Sequence, residues 1–500
     1  MNTPGTANEV TNENRPEPVI GSEGTGLRAR IALTGASGYI GHNQLKLLTG
    51  DYNVIALSRH GNQKDNSPNV EWRSCELFSM SSAEQALQGA DYAVYLVHSM
   101  LPSAKLTQAA FEDMDAILAD NFARAARKNG IKQIVYLSGI IPGNIPQEQL
   151  SRHLRSRLEV ERILGSYGVP VTTIRAGLIV GPQGSSFPIL VKLVRRLPVM
   201  LLPKWTRTTT QPIALSEVLL ALRKCIGSAE LYGRAIDVGG PGSMTYKEMM
   251  LNTAEVLHKK RRLFDIPLLT IHLSRLWVTL ITGAPKEMAY PLIESLAHPM
   301  VVHPARTVPG ISDGRIPFDE AAREALKAED EADKKPKGKS AAPAKSNSGS
   351  KPKPAADVRS IQRVVLPGNT NTDWAARYYL EWLGRTLKPL VRIDYDGRNI
   401  YRVHLRASRT PILELTYLPE RSSAESTVYQ ISGGAFTKKG DTHEGRLEFL
   451  QIPGTRECVI AIHDYLPSLP WFLYKYTQAK AHLWVMAAFR RHLQRLGNRS

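Results

Sequence analysis

Apolar and polar positions along this chain follow two different rhythms. Between residues 30 and 174, short apolar runs alternate with longer stretches whose apolar residues recur at helical spacing. The runs predict strands at Arg30–Thr34, Asn53–Ser58, Val70–Leu77, Tyr92–Val97, Gln133–Leu137 and Val171–Ile174. The stretches predict helices at Tyr39–Thr49, Ala83–Gln88, Phe111–Asn129 and Arg152–Tyr167. Apolar strands separated by amphipathic helices imply a parallel sheet covered on both faces, the doubly wound Rossmann α/β pattern.

Beyond residue 360 the rhythm changes. A strand at Ile361–Leu366 and a helix at Thr372–Leu387 precede six strand-like runs: Leu390–Tyr395, Ile400–Leu405, Ile412–Tyr417, Thr427–Ile431, Arg446–Gln451 and Glu457–His463. A long helix from about Leu469 to Leu496 closes the chain. Strand, helix, antiparallel sheet and C-terminal helix is the order of an α+β helix-grip-like domain, in which a curved sheet wraps the last helix around an apolar cavity.

Residues 329–358 separate these two regions. The segment begins acidic, becomes KKPKGKSAAPAKSNSGSKPKP and carries no large apolar residue, so it reads as a flexible linker. The expected organisation is a disordered polar tail (1–27), a Rossmann domain (28–328), the linker, and the helix-grip-like domain (359–497). The tail lacks the apolar core of a signal peptide, and no run is long and apolar enough to span a bilayer.

Composition adds little to this picture except charge. The 500 residues carry 42% hydrophobic and 22% charged positions, ordinary for a globular chain, with a formal net charge of +18. The excess is spread over the linker and basic helices such as Val191–Leu197 and Phe489–Leu496, without a recognised nucleic-acid module. Cys75, Cys225 and Cys458 lie too far apart for a disulfide framework or a compact metal motif, which favours a reducing, cytoplasmic setting. Glu294, His298 and His303 match no metal-ligand spacing, so no metal is expected. Two aromatic-rich apolar stretches, Ile266–Gly283 and Pro470–Phe489, read either as core packing or as a peripheral contact with the inner membrane face or an apolar-substrate mouth.

The sharpest chemistry lies in Thr34-Gly35-Ala36-Ser37-Gly38-Tyr39-Ile40-Gly41, directly after the first strand and opening the first helix. Glycines there serve a tight turn, close approach of backbone to a pyrophosphate, and helix–strand packing, while the helix N-terminus offers unpaired N–H groups. The second strand ends Ser58-Arg59, without the acid that accepts hydrogen bonds from the ribose of NAD. An arginine there suits a 2′-phosphate, so NADP(H) is expected over NAD(H).

The blocks TGASGYIG, LSRHG, GADYAVYLVHSM, IVYLSG and TTIRAGLIVGP resemble the atypical and extended short-chain dehydrogenase/reductases, nearest to the NmrA-like group and to bacterial proteins that join such a domain to an extra C-terminal one. The resemblance spans Ile31–Leu326. It implies cofactor contacts from Glu76 and Leu77 near the adenine, and from Val97–Ser99 (with His98 between), Ser138–Gly139 and Ala176–Leu178 at the nicotinamide. The family's Ser and Tyr-x-x-x-Lys map onto Ser138, His153 and Arg157, so His stands for Tyr and Arg for Lys. Three readings fit. His153 serves as a replacement acid/base, with Arg157 orienting ribose. Alternatively both residues only bind cofactor or substrate. In the third, the domain has lost turnover and acts as an NAD(P)H-sensing regulator or assembly scaffold. The first two make the chain an oxidoreductase, and an apolar cavity in the helix-grip-like domain would suit a small, lipophilic carbonyl or quinone-type substrate.

Overall fold

The computed structural model describes residues 28–99, 107–184, 186–266, 270–334, 358–437, 445–468 and 476–498. The tail 1–27, most of the expected linker (335–357) and the start of the expected closing helix (469–475) lie outside the described residues.

Seven strands form the first sheet: β1 (Arg30–Leu33), β2 (Asn53–Ser58), β3 (Val70–Ser74), β4 (Tyr92–Tyr95), β5 (Ile134–Gly139), β6 (Val171–Ala176) and β7 (Ala235–Val238). Their order is β3-β2-β1-β4-β5-β6-β7 and every pairing is parallel. The order reverses between β1 and β4, which opens a crevice at their carboxyl ends, the place where such sheets bind ligands. Alternation along β1 separates the two faces. Ile31 and Leu33 enter one core, while Ala32 enters the other.

Helix α1 (Tyr39–Leu48) covers the first of those cores. Helices α2 (Met80–Ala86), α3 (Phe111–Lys128) and α4 (Arg152–Gly165) cover the other. Ser79 and Ser151 accept hydrogen bonds from the first turns of α2 and α4, which fixes where those helices start. Helix α2 starts earlier than the sequence predicts because Ser79 supplies that cap. A second lobe is built from α5 (Ser186–Arg196), α6 (Leu215–Cys225), α7 (Tyr246–Val256), α8 (Ile271–Thr282), α9 (Lys286–Ser295) and α10 (Phe318–Lys334), with α6 returning to the sheet beside α1. A two-stranded parallel ribbon, Val199–Leu202 with Arg262–Asp265, lies against this lobe.

Helix α10 runs through Lys334, so the first residues of the expected linker are helical. Phe318, Ala322 and Leu326 bury its apolar face, and Arg195 pairs with Glu329 at 2.9 Å near its end. Acidic residues are good helix formers once packing has nucleated the helix.

The second sheet contains β8 (Val358–Val365), followed by helix α11 (Thr372–Thr386), then β9 (Val391–Tyr395), β10 (Ile400–Leu405), β11 (Pro411–Tyr417), β12 (Ser426–Gly433), β13 (Arg446–Gln451) and β14 (Glu457–Tyr465), with helix α12 (Gln478–Gly497) last. The strands run antiparallel in the order β9-β10-β11-β12-β13-β14-β8. Helices α11 and α12 pack on one face, where Tyr379, Trp382, Phe449 and Phe489 meet with ring centroids 5.0–6.5 Å apart.

The other face is covered by the first domain at β8, β13 and β14, while its β9–β11 end, with Arg392, Asp394 and Arg402, stays exposed. Ile361, Leu450, Val459 and Ala461 join the same core as α3, and Thr107–Gln108 of the first domain extends the sheet alongside β8. The two domains therefore share one hydrophobic core. Arg363 on β8 crosses this junction, reaching Asp113 at 2.7 Å, Glu159 at 2.8 Å and Glu457 at 2.7 Å. Arg124 on α3 crosses in the opposite direction to Glu448 at 2.8 Å.

Candidate functional site

The turn after β1 is shaped for a phosphate. Gly35 sits at φ +65°, which a side chain disfavours, and a Cβ on Gly41 would stand 2.2 Å from the Gly35 carbonyl oxygen. Gly38 occupies the N-cap of α1, where no side chain caps the helix. Ser37 and Gly38 are exposed, so the first amides of α1 face outward unsatisfied. Thr34 secures the floor: its Oγ1 donates to the Val94 carbonyl at 3.1 Å and accepts from Leu96 N–H at 2.9 Å, holding the ends of β1 and β4 together. Tyr39 lies beneath the Gly181–Gly184 loop, its buried hydroxyl without a partner.

At the end of β2, Ser58 Oγ is buried without a hydrogen-bond partner, and Arg59 is exposed with no ion pair among the described residues. Lys64 completes this corner. Its ammonium donates to Ser37 Oγ at 2.9 Å and sits 3.8 Å from the Trp72 ring centroid. Sequence reasoning missed Lys64, though a lysine a few residues beyond Arg59 in a short polar loop was visible as a second cation. Glu76, at the end of the third strand, faces Arg359 of the second domain at 3.4 Å.

The crevice beyond β4 and β5 is organised by Asp115, a residue the sequence did not single out. One carboxylate oxygen of Asp115 accepts from Ser99 N–H at 2.6 Å; the other accepts from Ser156 Oγ at 3.1 Å and pairs with Arg157 at 2.7 Å. Both partners of the ion pair are nearly sealed from solvent, with side-chain exposures of 7% and 2%. Arg157 therefore occupies the expected place on α4 with its charge neutralised by α3, while its Nε has no hydrogen-bond partner.

His153 is part-buried on the same helix, with Nδ1 unpartnered. Burial, and then the charges of Arg157 and His98, push its pKa down to about 3. The imidazole is desolvated and lies beside a fixed cation, and both disfavour its charged form. It is a neutral hydrogen-bonding group at physiological pH. Ser138, at the end of β5, is buried with its Oγ unpartnered, and Gly139 lets Leu154 of α4 approach to 3.4 Å from where a Cβ would stand. His98 is exposed at the mouth, Ser99 is tied to Asp115, and Val97 packs on the core.

Three predicted contacts are turned inward. The side chains of Leu77, Ala176 and Leu178 lie in the cores, and the carbonyls of all three accept protein hydrogen bonds, from Asn121, Ile140 and Ile213 respectively. The histidines once weighed as metal ligands are structural. His298 accepts from Ser151 N–H at 3.0 Å, and His303 caps a turn by accepting from Ala305 N–H.

Beside the crevice, α5, α7, α8 and α9 line a small apolar cavity of about 50 Å3. Leu178, Leu190, Trp205, Tyr246, Met250 and Val278 contribute to its walls.

Residues 35–191 match the family model described as NAD(P)H-binding. Over 150 residues the chain is 31% identical to the auxiliary protein GraX of Staphylococcus aureus, covering 29% of this chain and 44% of that protein. The chain thus spans less than half the length of that curated relative. Among solved structures, a triphenylmethane reductase from Citrobacter sp. complexed with NADP(H) aligns at 17% identity and TM-score 0.47, over 59% of this chain and 100% of that one. An NADPH-dependent quinone oxidoreductase from Escherichia coli aligns at 17% identity and TM-score 0.47, over 59% and 99%. A nucleoside-diphosphate-sugar epimerase from Staphylococcus aureus gives 15% and 0.47, over 59% and 99%. The match over residues 35–191 places the phosphate turn, β2 to β6 and α1 to α4 inside a segment similar to NAD(P)H-binding proteins, in line with the resemblance read from the sequence.

Proposed function

We propose that this chain is an oxidoreductase that prefers NADP(H) and acts on a lipophilic carbonyl or quinone-type substrate. The observation that carries the reading is a row of unsatisfied polar groups along one crevice. The open N-terminus of α1, Ser58 Oγ, Ser138 Oγ and His153 Nδ1 follow the carboxyl ends of β1, β2 and β5, where a bound dinucleotide would satisfy them.

The glycine turn holds the pyrophosphate. Ser37, Ser58, Arg59 and Lys64 hold the adenosine ribose with its 2′-phosphate; two cations there, and no acid at the end of β2, favour NADP(H). Once bound, the nicotinamide supplies or accepts the hydride. Ser138 and the neutral His153 act as hydrogen-bond donors that polarise the substrate oxygen, a role that needs no imidazolium. Arg157, held by Asp115, positions α4 and keeps His153 uncharged. The small cavity beside the crevice is too small to hold a whole substrate, but its apolar walls favour a lipophilic group on that side of the crevice. In the second domain α11 and α12 pack an aromatic core on one face of the antiparallel sheet, which favours the crevice of the first domain as the substrate site.

NADPH oxidation followed with a panel of quinones and long-chain aldehydes and ketones tests the proposal. Turnover that falls in Ser138→Ala and His153→Phe while NADPH affinity holds supports it. Tight NADPH binding without turnover across the panel returns the chain to the sensing or scaffold role.

A further inference from the structure

Helix α8 and the neighbouring ribbon expose apolar side chains that the fold does not use. Leu273, Leu276 and Leu280 are 49%, 59% and 79% exposed, and their i, i+3, i+7 spacing places them on one face of α8. The opposite face is buried through Ser274 and Val278. The ribbon repeats the arrangement at strand spacing. Val199 and Leu201 face outward at 45% each, Met200 and Leu202 inward at 2% and 3%. Phe264, in register with Leu201, adds a ring that is 54% exposed. Trp277 of α8 meets Met200 and Leu201 in a shared crevice, so helix and ribbon form one continuous surface. A patch of six large apolar side chains is more than a free-standing surface normally carries.

The unpaired charge around it is positive. Lys192, Arg196, Lys259, Lys260 and Arg262 are exposed and form no ion pair among the described residues. Their positions border the patch. Arg262 N–H bonds the Pro198 carbonyl at 3.1 Å, Arg261 reaches the Val194 carbonyl at 2.7 Å, and Arg196 bonds the Ile281 carbonyl at the end of α8. Among the described residues, α5, α8 and the ribbon carry one acid, Asp265, which Lys247 and Arg207 neutralise.

We propose that this face docks on an anionic lipid bilayer. The leucines and Phe264 enter the interface between headgroups and acyl chains, and the cations pair with lipid phosphates around them. Helix α8 is short, and no helix among the described residues is long and apolar enough to cross a bilayer, so the contact is peripheral. Charge complementarity selects a bilayer over a protein partner: a border of unpaired cations beside an apolar centre, with its one ribbon acid neutralised, matches a sheet of negative headgroups over hydrocarbon.

Co-sedimentation of the full chain with phosphatidylcholine vesicles and with mixed phosphatidylcholine–phosphatidylglycerol vesicles tests this. Binding at least about tenfold stronger to the anionic vesicles is expected, and high salt should reverse much of it. Leu276→Asp with Leu280→Asp should abolish binding, and Lys259→Glu with Lys260→Glu should weaken it about tenfold, with NADPH affinity unchanged in both as a check on folding. Absence of binding to anionic vesicles, or equal binding by the leucine variant, overturns the proposal. So does a wild-type dimer that Leu276→Asp makes monomeric without any vesicle binding, which would assign the face to a second copy of the chain.

Discussion

Asp115 on α3 and Arg157 on α4 form an ion pair at 2.7 Å with almost no solvent access, at the floor of the crevice that faces the proposed nicotinamide site. A pair so enclosed costs desolvation to form, and losing one member leaves a bare buried charge. The same carboxylate also holds Ser99 and Ser156, so a single residue on α3 sets the positions of the loop after β4 and of α4.

Breaking the pair should therefore be expensive. Arg157→Met is predicted to lower unfolding free energy by roughly 3–5 kcal/mol, and the double variant Asp115→Leu with Arg157→Met should recover much of that loss. Urea unfolding of the single and double variants measures both. A loss under about 1 kcal/mol for Arg157→Met would show that the pair is solvated in solution.

His153 gives a pH signature. Its folded pKa, about 3, lies below its ordinary value of 6.5, so the unfolded chain binds a proton that the folded chain refuses. The stability this group contributes is present above pH 6.5 and is lost as pH falls toward 3. In His153→Phe the loss of stability between these limits should be shallower than in wild type. Parallel profiles, measured by thermal unfolding across pH, would contradict a depressed imidazole.

Gly41→Ala tests the phosphate turn directly. The added methyl meets the Gly35 carbonyl at 2.2 Å, backbone against backbone, so the turn must open. NADPH affinity is expected to fall at least about tenfold, or about 1.4 kcal/mol. Fluorescence titration of NADPH reads this, and unchanged affinity would show that the turn does not hold the ligand.

The shared core between the domains predicts one cooperative unfolding transition. Arg363→Ala should destabilise the whole chain by roughly 3–5 kcal/mol, because Asp113, Glu159 and Glu457 would lose a common partner. Calorimetry giving two separated transitions in wild type would contradict the common core.

The glycine turn and the strands around it were legible because their signals are local: Gly35, Gly38 and Gly41 obey constraints that a few neighbouring residues impose. Asp115 was not. An acid on an amphipathic helix reads as solvated, and its partner Arg157 lies 42 residues away. The same blindness hid the docking of the second domain. Arg124 and Arg363 look like surface cations in sequence, and only the strands of the second domain, laid on α3, bury them. The positions of the strands in that domain could be read from alternation, because each strand reports its own burial; which face met the first domain could not.

Calorimetric titration of the full chain with NADPH and, separately, NADH tests the central claim most directly. The account predicts binding of both, with NADPH at least about tenfold tighter and the difference erased by replacing Arg59 and Lys64 with alanine. Absence of heat and of any thermal shift with either nucleotide would contradict it, leaving a Rossmann sheet whose first helix holds nothing.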